Sequence, residues 1–223
     1  MPAEPRQVEA PERLWRVERA TTALRFSRIS PVDAESDRAG NRFDVPGGGV
    51  LYAASDPRGA YAETIAQFRP SALVAELDAE GLEPGRVPYG ALPREWRASR
   101  RLRALQLVDP RPFVDIDHPA THAFLTREAS DVLRALGVGS LDIALVRGPS
   151  RTLTRALAGW VYTRVDEHGQ GCYSGIRYSS RIGSQECWAV FDGTAVRLVS
   201  ELDIGRDDEA LNEVATQLDI VVS

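Results

Sequence analysis

The stretch NRFDVPGGGVLYAASDPRGAYAET, Asn41 to Thr64, places a loop, a strand and a helix in immediate succession. Its middle, GVLYAAS (Gly49 to Ser55), is a short apolar run bounded by turn signals, which predicts a buried strand. Asp56 then stands where it can cap a helix, and Pro57 suits the first helical position. Tyr61, Ile65 and Phe68 fall on one face of that helix. Glu63 lies about 200° around the axis from Tyr61 and Ile65, off the apolar stripe. Upstream, Arg42 precedes three glycines, Gly47 to Gly49, which can bring backbone close to a ligand. Arg42, Tyr52 and Glu63 therefore sit on three successive elements. Each alone reads as an ordinary surface or core residue. Together they offer a cation, an aromatic face and a carboxylate to a single ligand. The glycines do not form GxGxxG, so a Rossmann dinucleotide site is excluded.

Outward from this unit, RLWRVE (Arg13 to Glu18) reads as a first strand, preceded by a loose leader over residues 1–12. Thr21 to Gly49 is polar and irregular, and a loop of that length is uncommon unless functional. ALVAELDA, LQLVD and PFVDID read as strands, with an Arg- and Pro-rich excursion near residues 82–103. HPATHAFLTREASDVLRALG predicts one helix ended by Gly137, SLDIALV a strand, and GPSRTLTRALAGWVYTRV a helix with Ser150 as its cap. GIRYSS, CWAVFDG and VRLVSELD follow as strands, and a last helix lies near residues 207–219. Strands and helices mix without strict alternation, which predicts a single α+β domain over residues 13–223 around a central mixed sheet.

Composition narrows the function. The chain has 223 residues, enough for one proper core, and no apolar run long enough to span a membrane. The start, MPAEPRQVEAPER, lacks the apolar stretch of a secretory signal, so a cytoplasmic location is expected. All 27 basic residues are arginine, which rules out a lysine Schiff base or a Walker lysine. The net charge of −5 argues against a broad nucleic-acid face, leaving only a local basic patch at REWRASRRLR (Arg94 to Arg103). Cys172 and Cys187 cannot make a zinc ligand set, and Pro119 disfavours helix at His118 in the His118/His122 pair, so no metal is expected. No G-x-S-x-G elbow or Ser–His–Asp order points to a hydrolase triad.

Taken together, the motifs resemble the RES domain family, named for its Arg, Glu and Ser. Its arginine ahead of an aromatic, LY-containing strand, helix glutamate and late strand-end serine match NRFD, VLYAAS, AYAET and IRYSSR here. Phe43 stands where the family usually has Trp, and YSS replaces a VPS-like end, leaving Ser179 beside Ser180. The resemblance extends from about Leu14 to Asp192. It carries Arg42, Tyr52, Glu63 and Ser180 over as site residues, adds Arg16 from the first strand, and adds Ser150 ahead of a long helix.

That resemblance implies an ADP-ribosyltransferase-like fold that binds NAD+ as substrate and breaks its nicotinamide–ribose bond. It implies a toxin whose partner is an Xre-type helix-turn-helix antitoxin, with a homodimer or a toxin–antitoxin hetero-oligomer as the assemblies. The chemistry is compatible with the residues. An oxocarbenium-like ribose would be stabilised by Glu63, the pyrophosphate held by Arg42 and Arg16, and nicotinamide stacked on Tyr52. Ser180 or Ser150 would bond ribose or the carboxamide. Water, phosphate or a protein side chain could each be the acceptor, so a glycohydrolase or phosphorylase and a mono-ADP-ribosyltransferase both stand. A catalytically inactive nucleotide-binding module and a ribonuclease toxin are the alternatives from other classes.

Overall fold

The computed structural model describes residues 4–70 and 90–223. In chain order the elements are β1 (Gln7–Val8), β2 (Leu14–Arg19), α1 (Pro31–Ala34), β3 (Val50–Ala54), α2 (Pro57–Ile65), β4 (Ala91–Leu92), α3 (Arg94–Ala98), β5 (Arg100–Val108) and β6 (Phe113–Asp115). There follow α4 (Pro119–Glu128), α5 (Ser130–Ala135), α6 (Ile143–Arg147), α7 (Arg151–Tyr162), β7 (Gly175–Ser179), β8 (Glu186–Phe191), β9 (Ala195–Asp203), α8 (Glu209–Gln217) and β10 (Val221–Val222).

The expected α+β architecture is what forms. Eight strands make one sheet in the order β1-β6-β7-β8-β3-β2-β5-β9, and β4 and β10 pair separately. The sheet is mixed, because β6 and β7 run parallel while the other pairs run antiparallel. Side chains alternate across it. Along β8, Cys187, Ala189 and Phe191 join a large core with the helices, and Trp188 and Val190 join a smaller one with Leu14, Leu51 and Phe113. Trp188 fits there edge-on to Phe113, with ring centroids 5.1 Å apart.

The loop–strand–helix unit forms as its residues predict. Asp56 accepts a bond from the Gly59 amide at 2.9 Å, and Pro57 opens α2. Tyr61 and Ile65 are buried and Glu63 is exposed. Ser150 caps α7 by accepting from the Leu153 amide, and Leu153, Leu157 and Val161 point into the core.

Several expectations change. SLDIALV is not a strand. Asp142 accepts from the Leu145 amide and starts the short helix α6, with Ile143 and Leu145 exposed and only Val146 buried. The apolar run is therefore a surface segment anchored near its two ends by Leu141 and Val146. The single helix expected after His118 breaks at Ala129 into α4 and α5. His118 is the cap itself, its Nδ1 accepting from the Ala120 amide, and Gly137 takes a positive φ at the end of this segment. The leader is docked where Gln7 and Val8 pair with β6.

The described part of the Arg-rich excursion, residues 90–103, forms regular structure. α3 leads straight into β5, which begins at Arg100 rather than at LQLVD. The three arginines at the start of β5 are committed internally. Arg103 pairs with Glu18 and Glu201, Arg101 pairs with Asp203, and Arg100 stacks on Trp96. No free basic patch is left at Arg101 and Arg103. The ALVAELDA strand lies outside the described residues.

Gly175 sets a steric limit where β7 joins the sheet. A Cβ there would sit 2.0 Å from the Ala189 carbonyl oxygen and 2.7 Å from the Phe113 ring. Gly175→Ala is expected to cost about 3 kcal/mol or more, since backbone has to move. A urea titration followed by tryptophan fluorescence reads this as a fall in midpoint, and an unchanged midpoint would refute it.

Candidate functional site

β2 and β3 are paired only through Trp15 and Ala54, although β2 pairs with β5 along its whole length. Beyond that contact the two strands part. A cleft of about 660 Å³ opens there. Trp15, Arg16 and Val17 of β2 line one side, Tyr52, Ala53 and Ala54 of β3 another, and Gly59, Ala60 and Glu63 of α2 a third. Arg42, Tyr178, Arg181 and Arg151 complete the wall with Arg69.

The cleft brings together residues far apart in the chain. Ser180 follows the end of β7, and its hydroxyl donates to Glu63 Oε1 at 2.5 Å. Ser180 is buried while Glu63 is exposed. The Ser180 amide donates to the Gln185 carbonyl, and its oxygen accepts from the Ile182 amide at 3.1 Å. The serine is thus held from both sides. Between the two adjacent serines, Ser180 is the one that meets the glutamate. Ser179 instead donates its amide to Asp117 Oδ2 at 2.7 Å.

Arg42 lies on two aromatic rings, 4.9 Å from the centroid of Phe43 and 5.4 Å from that of Tyr178. One Nη donates to the Val146 carbonyl at 2.9 Å. Burial lowers its pKa, while Tyr178 and Glu63 work the other way. The guanidinium remains charged at any physiological pH.

Tyr52 presents its ring to the cleft and keeps its hydroxyl inside. The phenol donates to Asp44 Oδ1 at 2.9 Å and accepts from the Phe43 amide at 3.1 Å. Burial, then the Asp44 charge, raise its pKa well above the ordinary phenol value, so it stays a neutral donor. Arg16 is more committed than expected. It bonds Glu18 at 3.1 Å, the Tyr52 carbonyl at 2.8 Å and the Arg25 carbonyl at 3.1 Å, and still lines the cleft.

Neither Ser150 nor Ser180 lines the cleft: the Ser150 oxygen caps α7, and Ser180 lies buried behind Glu63. Gly47 to Gly49 do not line it either. Gly47 takes a positive φ, whereas the glycine requirement at Gly48 and Gly49 comes from packing. A Cβ at Gly48 would meet the Tyr162 ring at 3.0 Å, and one at Gly49 would meet Asp192 at 2.9 Å.

Other lining residues escaped the sequence reading. Tyr178 and Arg181 flank Ser180 at two and one positions, and Arg151 follows Ser150, so adjacency was their signal. Arg155 gave none. It is buried, and it donates to the carbonyls of Asp33, Ala34, Ser36, Ala39 and Asn41, fastening the segment that ends in Arg42. Buried Asp44 collects Tyr52, Ser27 and the Asn41 amide.

The lining is thus rich in arginine, with Glu63 as its carboxylate. Such a surface suits an anionic ligand that also carries a site of developing positive charge. Among the described residues no group of three or more His, Cys, Asp or Glu could hold a metal ion, and no helix is long and apolar enough to cross a membrane.

Arg155→Met is expected to leave those loop carbonyls without their charged donor, at a cost of about 3 kcal/mol. Limited trypsinolysis should then cut faster after Arg38. Cutting at the wild-type rate would show that Arg155 does not hold this segment.

A family model described as RES domain matches residues 13–211. No curated protein and no solved structure matches the chain.

Proposed function

The chain belongs to the RES domain family, whose members are toxin-like, NAD-related domains, and from this we propose that it binds NAD+ and cleaves the nicotinamide–ribose bond. The observation that carries the reading is the hydrogen bond from buried Ser180 to Glu63, the carboxylate that lines an arginine-rich cleft.

In this reading Arg42 binds the pyrophosphate, with Arg16 beside it, since arginine's planar fork suits phosphate oxygens. The Tyr52 ring, fixed through Asp44, stacks on nicotinamide. The C–N bond breaks with both electrons leaving on nicotinamide, which departs as a neutral base and needs no strong acid. Glu63 faces the ribose as positive charge develops, and Ser180 fixes the carboxylate's orientation. Water or phosphate then captures the ribose carbon. A second reading, transfer of ADP-ribose to a protein side chain, is favoured by the exposure of Glu63 at an open cleft. We further propose an Xre-type helix-turn-helix antitoxin as the partner, covering the cleft mouth.

The test follows NAD+ over time with wild type and Glu63→Gln, with and without phosphate. Wild type should consume NAD+, and Glu63→Gln should fold yet lose about 10²–10³-fold in rate. Equal rates would remove Glu63 from the chemistry. Arg42→Ala should raise KM, and Arg42→Lys should not restore it, because a point charge lacks the fork. Label appearing on protein rather than as free ADP-ribose would select the second reading.

A further inference from the structure

Behind the cleft, two of its arginines and one buried carboxylate are tied to one short turn. At the end of α6 the Val146 carbonyl accepts from Arg42 at 2.9 Å, and the Gly148 carbonyl accepts from Arg181 at 3.1 Å. Between them, Arg147 reaches Asp117 Oδ2 at 3.1 Å. The last carbonyls of a helix have no partner within it, so they are free to take these donors.

Asp117 lies just after β6. The same Oδ2 that meets Arg147 accepts the Ser179 amide at 2.7 Å, and Arg177 stands 3.7 Å away. Its side chain is only 9% exposed. Burial alone would raise its pKa, but the bonds from Arg147 and Ser179 outweigh that and hold it below the ordinary carboxylate value. Among the described residues its Oδ1 is buried without a hydrogen-bond partner. A buried carboxylate kept at that cost calls for an explanation in what its other oxygen does.

That oxygen fixes the residue next to Ser180. We propose that Asp117, held by Arg147, is a positioning residue. It fixes the end of β7 so that the Ser180 hydroxyl stays on Glu63, and it joins this pair to the α6 turn that holds Arg42 and Arg181. Displacing Asp117 would therefore disturb the carboxylate's orientation first, while Arg42 and Arg181 keep their own bonds to the Val146 and Gly148 carbonyls.

The rate arm of the test rests on the NAD+ reading; the exchange arm does not. The full chain is compared as wild type, Asp117→Ala, Asp117→Asn, Ser180→Ala and the double Asp117→Ala/Ser180→Ala variant. Amide hydrogen exchange is read over residues 178–182, and nicotinamide release from NAD+ gives kcat and KM. In Asp117→Ala, exchange over 178–182 should rise about tenfold or more while β3 amides stay protected. The kcat should fall about 100-fold with KM little changed. Asp117→Asn still offers an oxygen to the Ser179 amide and should recover most of the rate. On the Ser180→Ala background, Asp117→Ala should cost little more, since the two act as a unit.

Wild-type exchange over 178–182 in Asp117→Ala, or a full additional 100-fold loss in the double variant, would overturn the proposal. Should wild type release no nicotinamide, the exchange result alone decides the role of Asp117, and only the NAD+ reading fails. Should Asp117→Ala not fold, Arg147→Ala takes its place, because Arg147 is 44% exposed. Faster exchange over 178–182 there supports the role, and unchanged exchange rejects it.

Discussion

The cleft exists because β2 and β3 stop pairing after Trp15 and Ala54, and a buried ion cluster holds the sheet together where they part. Glu18 accepts from Arg16 at 3.1 Å and from Arg103 at 2.9 Å, and Arg103 also meets Glu201 on β9. Arg16 completes the link by donating to the Tyr52 carbonyl on β3. Charges this deep are tolerated only when every one is paired and hydrogen-bonded, so removing one member leaves another stranded. Backbone pairing has been exchanged here for side-chain pairing, which spans a wider gap. The gain is an opening in the middle of a sheet, floored by side chains from both strands.

The loop before β3 follows the same logic. It runs for many residues with little regular structure, so its backbone groups need other partners. Arg155 collects carbonyls from residues 33–41, and Asp44 collects donors from Ser27, Asn41 and Tyr52. These two buried charges, one of each sign, do for the loop what a ladder does for a strand. Arg42 sits between their attachment points, so its guanidinium is delivered to the cleft by a segment that is ordered on both sides.

What the sequence revealed follows from the range of each interaction. The β3–α2 unit was legible because Asp56, Pro57 and the Tyr61/Ile65 spacing act within one turn of each other. The convergence of Glu63 and Ser180 was suggested by motif resemblance, but the bond spans 117 positions and has no local signature. SLDIALV misled because its apolar residues look like a strand, while Asp142 as a cap and the exposure of Ile143 and Leu145 make it a surface helix. The three glycines read as a ligand-approach motif, yet Gly47 serves a positive φ, and the residues that demand the other two, Tyr162 and Asp192, lie more than a hundred positions away. Asp117 and Arg155 were invisible for the same reason, since each acts on distant backbone.

The absence of lysine acquires a physical sense at this site. Arg42, Arg151 and Arg181 each bond protein carbonyls through a single Nη: Val146 for Arg42, residues 38–40 for Arg151, and Gly148 for Arg181. A guanidinium carries five donors on a rigid plane, so one edge can be anchored while the other stays free for a ligand. A lysine ammonium concentrates its charge at one point on a flexible stem and would lose direction once anchored. Arginine therefore lets the same side chains order the cleft wall and supply its positive charge. That double duty explains how a protein with net charge −5 can present so cationic a cleft: among the described residues its other acids lie off the lining, and Glu63 is kept for the position facing the arginines.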